Sequence, residues 1–237
     1  MRKVAKGFGL LAGWSGTPDF LDAERSFGTL LFAPDDAGEA LGFGGTLRRG
    51  PVTHLGDLFV LPEHQSSGVG RTLPAELLCG NGPTVTFASS DPRAIALYVR
   101  YGLRPWTPLL YLTGPTAGLP TPPVRRTRAE DVAALDALAS GGDRRATLAW
   151  YADLPGVTMY ATDRGYAAVR QTGHNVMIGP AGGATPQHCA DAVLGALATT
   201  EARTARIAVP GTHPLVPALL GAGWHIADMD TLMADVP

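Results

Sequence analysis

Cysteine is nearly missing from this chain: its 237 residues hold two, Cys79 and Cys189, in separate halves. Two distant thiols make no disulfide framework, and a reduced, cytoplasmic setting is the simplest expectation. The six histidines show no HxH or HExxH spacing, so no metal site is predicted. An excess of one charge is also missing, with 19 Lys and Arg against 21 Asp and Glu. That balance offers no basic surface for nucleic acid and no acidic tail. No apolar run approaches the about 18 residues of a membrane span. Arg2, Lys3 and Lys6 precede a short, glycine-broken apolar stretch at 7–14 that lacks a small-x-small cleavage pattern, so no secretory leader is expected. A nucleophile elbow is absent as well: Gly13-Trp14-Ser15-Gly16-Thr17 fails the Gly-x-Ser-x-Gly form.

What the chain does have is a phosphate-holding pattern. Leu58–Leu61 is a short apolar run stopped by Pro62, and Gln65-Ser66-Ser67-Gly68-Val69-Gly70 leads into a helical pattern at Val69, Leu73 and Leu77. First-turn N–H groups lack intrahelical partners and sit at the positive dipole end, and glycines let an anion approach the backbone. The dinucleotide fingerprint competes poorly. Gly7-Phe8-Gly9-Leu10-Leu11-Ala12 follows a short charged segment rather than a buried strand, and Gly68-Val69-Gly70 stands too far beyond Val60.

The Gln-x-x-Gly-x-Gly loop resembles the acetyl-CoA pyrophosphate loop of the GNAT superfamily of N-acetyltransferases. A second segment supports this. Asp91-Pro92-Arg93-Ala94-Ile95-Ala96-Leu97-Tyr98-Val99-Arg100-Tyr101-Gly102-Leu103 is similar to the family helix Asn-x-x-Ala-x-x-x-Tyr-x-x-x-Gly-Phe, with Asp91 at the Asn position and Leu103 at the Phe position. The resemblance implies an α/β fold with a mostly antiparallel mixed sheet flanked by helices. It implies acetyl-CoA as co-substrate and a small-molecule or peptide amine as acceptor, with no metal, in a monomer or homodimer. Cofactor contacts are implied for Phe59, Val60, Gln65, Ser66, Ser67, Gly68, Val69, Gly70, Arg71 and Tyr98. A CoA- or acyl-CoA-binding sensor without turnover is the alternative reading.

The chain reads as two related halves. Thr113 to Pro123 is a Pro/Gly/Thr linker. Beyond it, Thr127 and Glu130 have the form of a capping box ahead of a helix bearing Val132, Leu135 and Leu138. Asn175–Pro180 corresponds to the strand ending at Pro62, and Val209–Trp224 corresponds to Ala88–Leu103. The expected division is residues 1–112 as the unit with the acetyl-CoA site, 113–123 as linker, and 124–237 as a degenerate second unit. In that second unit the glycine motif is absent, Leu219 stands at the Tyr98 position, and Gly182-Gly183 reads as a turn rather than a second cradle.

Expected strands in the first half are Thr29–Phe32, Ala40–Leu47, Asp57–Leu61, Thr84–Ser89 and Leu109–Leu112, with helices at about 69–79 and 92–101. A long helix is expected near 186–200. No good strand precedes Ser26, whereas the family's units usually open with one.

Acetyl transfer to an amine needs a neutral nucleophile and a proton for the departing thiolate. A lysine-like amine of pKa about 10.4 is neutral in one molecule in about 10³ to 10⁴ at pH 7, a deficit of roughly 4–5 kcal/mol. A base removes it. Asp57 and His54 lie on or beside the strand that would carry the thioester and are the candidates, Asp57 first. The resemblance implies that Tyr98 is the general acid, and Tyr101 reads as packing. Asp91 before Pro92 reads as a helix cap. Trp14, Phe43 and Trp106 are candidate walls for an acceptor pocket, although isolated aromatics more often belong to a core.

Overall fold

A computed structural model describes residues 1–8, 18–80, 82–173 and 175–235. Two short helices open it, α1 (Arg2–Gly7) and α2 (Phe20–Phe27), and no strand precedes β1 among the described residues. The first half continues with β1 (Gly28–Pro34), β2 (Ala40–Arg49), β3 (Val52–Val60), α3 (Val69–Leu77), β4 (Thr84–Ala88), α4 (Pro92–Arg100) and β5 (Arg104–Pro115). The second half holds β6 (Arg125–Thr127), α5 (Ala129–Ser140), α6 (Arg145–Ala152), β7 (Val157–Ala161), β8 (Gly165–Thr172) and β9 (Asn175–Gly183). It ends with α7 (Pro186–Ala198), β10 (Thr204–Pro210), α8 (Leu215–Gly221) and β11 (His225–Ala234).

Local chemistry places these elements. Asp35 accepts from the N–H groups of Ala37 and Glu39 at 2.9 and 2.8 Å and closes the expected β1–β2 hairpin. Asp19 and Asp22 form a capping box on α2, Asp91 caps α4 through the Arg93 N–H, and Thr185 caps α7 ahead of Pro186. The box expected at Thr127 and Glu130 is shifted by one. Arg128 is the N-cap, Asp131 takes its N–H at 3.2 Å, and Glu130 pairs with Arg128 at 2.8 Å instead. On α5, Val132 is buried but Leu138 is 70 % exposed; the inward positions are Val132 and Asp136.

The eleven strands of the described residues form one sheet, in the order β1-β2-β3-β4-β11-β5-β10-β9-β8-β7-β6. Pairing is antiparallel except for β3 with β4 and β9 with β10. The two halves exchange their last strands: β11 lies between β4 and β5, and β5 pairs with β10. β4 shares only three residues with β3, so β11 covers an edge that would otherwise be bare. The expected linker begins too early, because Thr113, Gly114 and Pro115 are strand residues paired with Arg206, Ala205 and Thr204. Gly114 reads as a breaker in sequence. In the fold its missing side chain admits the Trp224 ring, whose Nε1 donates to the Pro115 carbonyl at 2.8 Å.

A buried polar network also joins the halves. Arg144 grips Asp136 with contacts of 2.7 to 3.2 Å, and the Tyr166 hydroxyl donates to the same carboxylate. Arg49 of β2 lies beside Arg144 and contacts His54 Nδ1 at 3.1 Å. The Gly50 N–H donates to the Asp143 carbonyl at 2.8 Å, and the Phe27 and Trp150 rings meet at 6.1 Å.

Candidate functional site

β3 and β4 run parallel only from Thr53↔Thr84 to Leu55↔Thr86, and then they part. β3 continues to Val60 with β2 on its far side, so no strand pairs with Asp57, Leu58 or Phe59 on the side facing β4. Side chains tie off the two ends of that open edge. Thr86 Oγ1 donates to the Leu55 carbonyl at 2.9 Å, and Gln65 Nε2 donates to the Val60 carbonyl at 3.2 Å. Between them is an exposed length of backbone suited to an extended chain carrying amides.

The glycine loop closes one end of this gap. A single 3-10 turn at Pro62–His64 leads into it, and Ser67 Oγ donates to the His64 carbonyl at 2.6 Å. Ser66 and Gly68 take left-handed φ values of 67° and 104°. Arg71 and Thr72 donate back to the Gly68 carbonyl at 2.8 and 3.1 Å, so the amides of Gly68, Val69 and Gly70 stand ahead of the first helical hydrogen bond. A Cβ at Gly68 would meet nothing within 4 Å, and one at Gly70 would meet only Val60 Cγ2 at 3.8 Å. That space fits a phosphate approaching from outside. Arg71 is exposed in the first turn, and its carbonyl accepts the Tyr101 hydroxyl at 2.7 Å, which locks α4 to α3.

Tyr98 is 6 % exposed on α4, among Leu55, Leu73, Leu77, Ala88, Leu103 and Met233. Burial pushes its phenol up to about 12, opposed by a hydrogen bond with Thr86, while the charges of Asp57 and Asp230 add to the rise. Tyr98 therefore stands close to carboxylates from both halves. Asp57, on β3, is raised by burial, lowered by hydrogen bonding with Glu24 and raised again by Asp19. Glu24, from α2, is 1 % exposed and raised much further, by burial first and then by Asp57.

Sequence reasoning missed three members of this cluster. Glu24 had a signal: it follows Leu21 by three residues on the inward face of an amphipathic helix, where a charge is out of place. Thr86 had none beyond its strand. Asp230 had none at all, since it reaches this site only because β11 crosses into the first half, where Thr231 pairs with Ala88 at the end of β4. Tyr111 Oη donates to Asp230 Oδ2 at 2.6 Å.

Other candidates separate from the cluster. His54 belongs to the junction between the halves; burial, then the charges of Arg49 and Arg144, push it down to about 3, and its ring lies edge-on to Phe87. Asp91 is turned onto Arg93 at 2.6 Å and is a cap. Phe43 is fully buried against Phe59, Trp106 is 53 % exposed, and Trp14 lies outside the described residues.

The second half repeats the parting of strands after Ile178↔Ile207. A cavity of about 530 Å³ opens there, lined by Ile178, Pro180, Val193, Val209 and Leu215, with Thr185, Cys189 and His213 as its polar side chains and no carboxylate. Leu219, at the Tyr98 position, is fully buried in the core. Gly182 and Gly183 are not a turn; they pair with Tyr166 and Gly165 in β9.

Residues 10–103 match the model of the acetyltransferase (GNAT) family. No curated protein matches the chain. Among solved structures, it is similar to a GCN5-related N-acetyltransferase from Sphaerobacter thermophilus, with 15% identity, 96% of this chain and 84% of that chain covered, and TM-score 0.57. A GCN5-related N-acetyltransferase from Kribbella flavida gives 18% identity, 98% and 67% coverage, and TM-score 0.61. A tandem GNAT protein from the clavulanic acid biosynthesis pathway gives 16% identity, 100% and 96% coverage, and TM-score 0.56. No helix among the described residues is long and apolar enough to cross a membrane, and no cluster of metal-ligating side chains occurs among them.

Proposed function

Because residues 10–103 match the model of the acetyltransferase (GNAT) family, we propose that the first half binds acetyl-CoA and transfers its acetyl group directly to the amine of a small molecule or peptide. In sequence, the stretch through the end of β5 makes up this working unit, residues 116–123 the connection, and 124–237 a second unit that keeps the scaffold without the motif.

The observation that carries the reading is the parting of β3 from β4 with an open backbone edge, one end bounded by the Gly68–Gly70 loop and the middle flanked by Asp57 and Tyr98. The amides of Gly68, Val69 and Gly70 hold the pyrophosphate, with Ser66, Ser67 and Arg71 at the rim and Gln65 bracing the loop against β3. The edge at Phe59 and Val60 lies along the pantetheine arm. Acetyl-CoA supplies the acetyl group as an activated thioester. Asp57 takes a proton from the acceptor ammonium, leaving the nitrogen lone pair free to attack. The Tyr98 phenol, protonated at neutral pH and held so into alkaline pH by burial, gives its proton to the departing thiolate and is recharged from solvent. The carboxylates Asp57 and Asp230 gathered at this place favour an acceptor that arrives as a cation.

The test is release of free thiol from acetyl-CoA across polyamines, amino acids, aminoglycosides and peptides, together with melting curves. At a hundredfold excess over Kd, acetyl-CoA stabilises by about 2.7 kcal/mol, a Tm rise of roughly 5–10 °C. No shift with acetyl-CoA or CoA sinks the cofactor assignment. A shift without turnover on any acceptor favours a CoA sensor instead.

A further inference from the structure

α2 turns one charged residue inward. Leu21 and Ala23 are buried on it, and Glu24 is buried with them at 1 % exposure. Its carboxyl fits because two facing positions carry no side chain. A Cβ on Gly45 would overlap Glu24 Oε2, and one on Gly56 would lie 2.8 Å from Oε1. Gly45 is opposite Asp57 in the β2–β3 register and Thr46 is opposite Leu55, which leaves Gly56 as the bulged residue between them. The sheet is thus shaped at that point to receive a carboxyl and to bring it beside Asp57.

Neither oxygen of Glu24 has a hydrogen-bond partner while both acids are written as carboxylates. Two buried carboxylates side by side offer only acceptors and repel each other, and one proton between them supplies the missing donor and removes the repulsion. We propose that Glu24 is the positioning residue of this site: it carries that proton, donates it in a hydrogen bond to Asp57, and so holds Asp57 as the ionised base at the gap between β3 and β4. The assignment rests on the acetyl-transfer reading, because it gives Glu24 its task within that site.

Burial decides which acid keeps the proton. Glu24 is 1 % exposed whereas Asp57 is half-buried, and burial raises both groups; the charge of Asp57 raises Glu24 further, and the hydrogen bond from Glu24 pulls Asp57 back down. The other groups facing Asp57 fit this assignment. Asp19, the cap of α2, raises it, although Asp19 is itself held by Arg2 at 3.2 Å; Tyr98, from α4, is neutral. In the reaction an N–H bond of the acceptor ammonium breaks, the proton passes to an Asp57 oxygen, and the electron pair stays on nitrogen. Glu24 keeps its own proton throughout.

The test is carboxyl carbon NMR of the full chain, titrated without acetyl-CoA or acceptor. In the wild type, Asp57 and Glu24 titrate more than about one unit apart, Glu24 above. Glu24→Gln replaces the O–H donor with an amide N–H; the upper titration disappears and Asp57 moves by less than about half a unit. Glu24→Met keeps the length and removes the donor, and Asp57 rises by about one unit or more. Equal Asp57 midpoints in all three proteins overturn the proposal, as does a Glu24 that titrates in the ordinary carboxylate range. Should Glu24→Met not fold, the wild type and Glu24→Gln decide. Because these titrations need no turnover, they stand even if the chain proves to transfer nothing. If it does transfer acetyl, the acid limb of kcat follows Asp57 in each variant with KM for acetyl-CoA unchanged, and a limb that stays put in Glu24→Met overturns the role.

Discussion

Tyr98→Phe separates a proton donor from a packing residue, because it removes one hydroxyl and leaves the ring. The ring is held by Leu55, Leu73, Leu77, Ala88, Leu103 and Met233, and none of that contact is lost. What disappears is the hydrogen bond with Thr86, whose own hydroxyl still donates to the Leu55 carbonyl at 2.9 Å. One neutral hydrogen bond is worth about 0.5–1.5 kcal/mol net, which for a chain of this size lowers Tm by roughly 1–6 °C. The effect on rate is larger. If the phenol supplies the thiolate's proton, kcat falls about 10²-fold, or about 2.7 kcal/mol, while KM for acetyl-CoA stays within a few-fold. The pH profile adds a second check. With the phenol pushed up to about 12, the wild type loses no rate to this group up to about pH 10. Steady-state kinetics from about pH 6 to 10, with melting curves on both proteins, decide the matter. An unchanged kcat in Tyr98→Phe refutes the acid role. A wild-type rate that falls at mild alkaline pH and is restored by the substitution would mean that the phenol ionises there, refuting the burial argument.

Gly70→Val should fold, since its Cβ meets only Val60 at 3.8 Å, yet raise KM for acetyl-CoA about tenfold or more by crowding the phosphate; native-like melting with an unchanged KM removes Gly70 from the cradle. Gly182→Val should instead cost stability, its Cβ landing 2.8 Å from that of Ala139, with cofactor affinity unaltered; calorimetric titration of acetyl-CoA distinguishes the two. Arg144→Ala leaves the fully buried Asp136 without its cation and should destabilise by about 3–5 kcal/mol in urea unfolding, a loss under about 1 kcal/mol being incompatible with the network described. Stability should also fall as pH rises. Glu24 is raised in the folded chain, so above its unfolded value the unfolded chain has released a proton that the folded chain still holds, with a slope of at most about 1.4 kcal/mol per unit until the folded value is passed. Urea midpoints at about pH 5.5, 7 and 8.5 should decline in the wild type and flatten in Glu24→Gln.

The proposed cofactor site is written in consecutive residues. Gln65, Gly68 and Gly70 set the loop, Asp91 and Pro92 start the helix that presents Tyr98, and the apolar run before Pro62 marks the strand. Each depends on local backbone conformation, capping or period, so one reading of the chain locates them all. The same holds for the resemblance to the acetyltransferase family and for the mixed α/β fold, and the absence of the motif from the second half is equally plain.

The rest was settled by contacts that sequence neighbours do not report. Gly114 and Pro115 look like a break until Trp224 is seen on the space they leave. His54 resembles a base beside Asp57, yet the β2–β3 bulge and the Arg49–Arg144 junction separate the two, one at the interface and the other at the gap. Glu24 reaches Asp57 through a slot made by two glycines on different strands, and Asp230 arrives from near the far end of the chain because β11 fills the bare edge of β4. Local chemistry could write the proposed cradle, because a phosphate is held by consecutive amides. The acid cluster needed tertiary structure, because burying carboxylates together requires walls from several elements, and only the fold determines which elements meet.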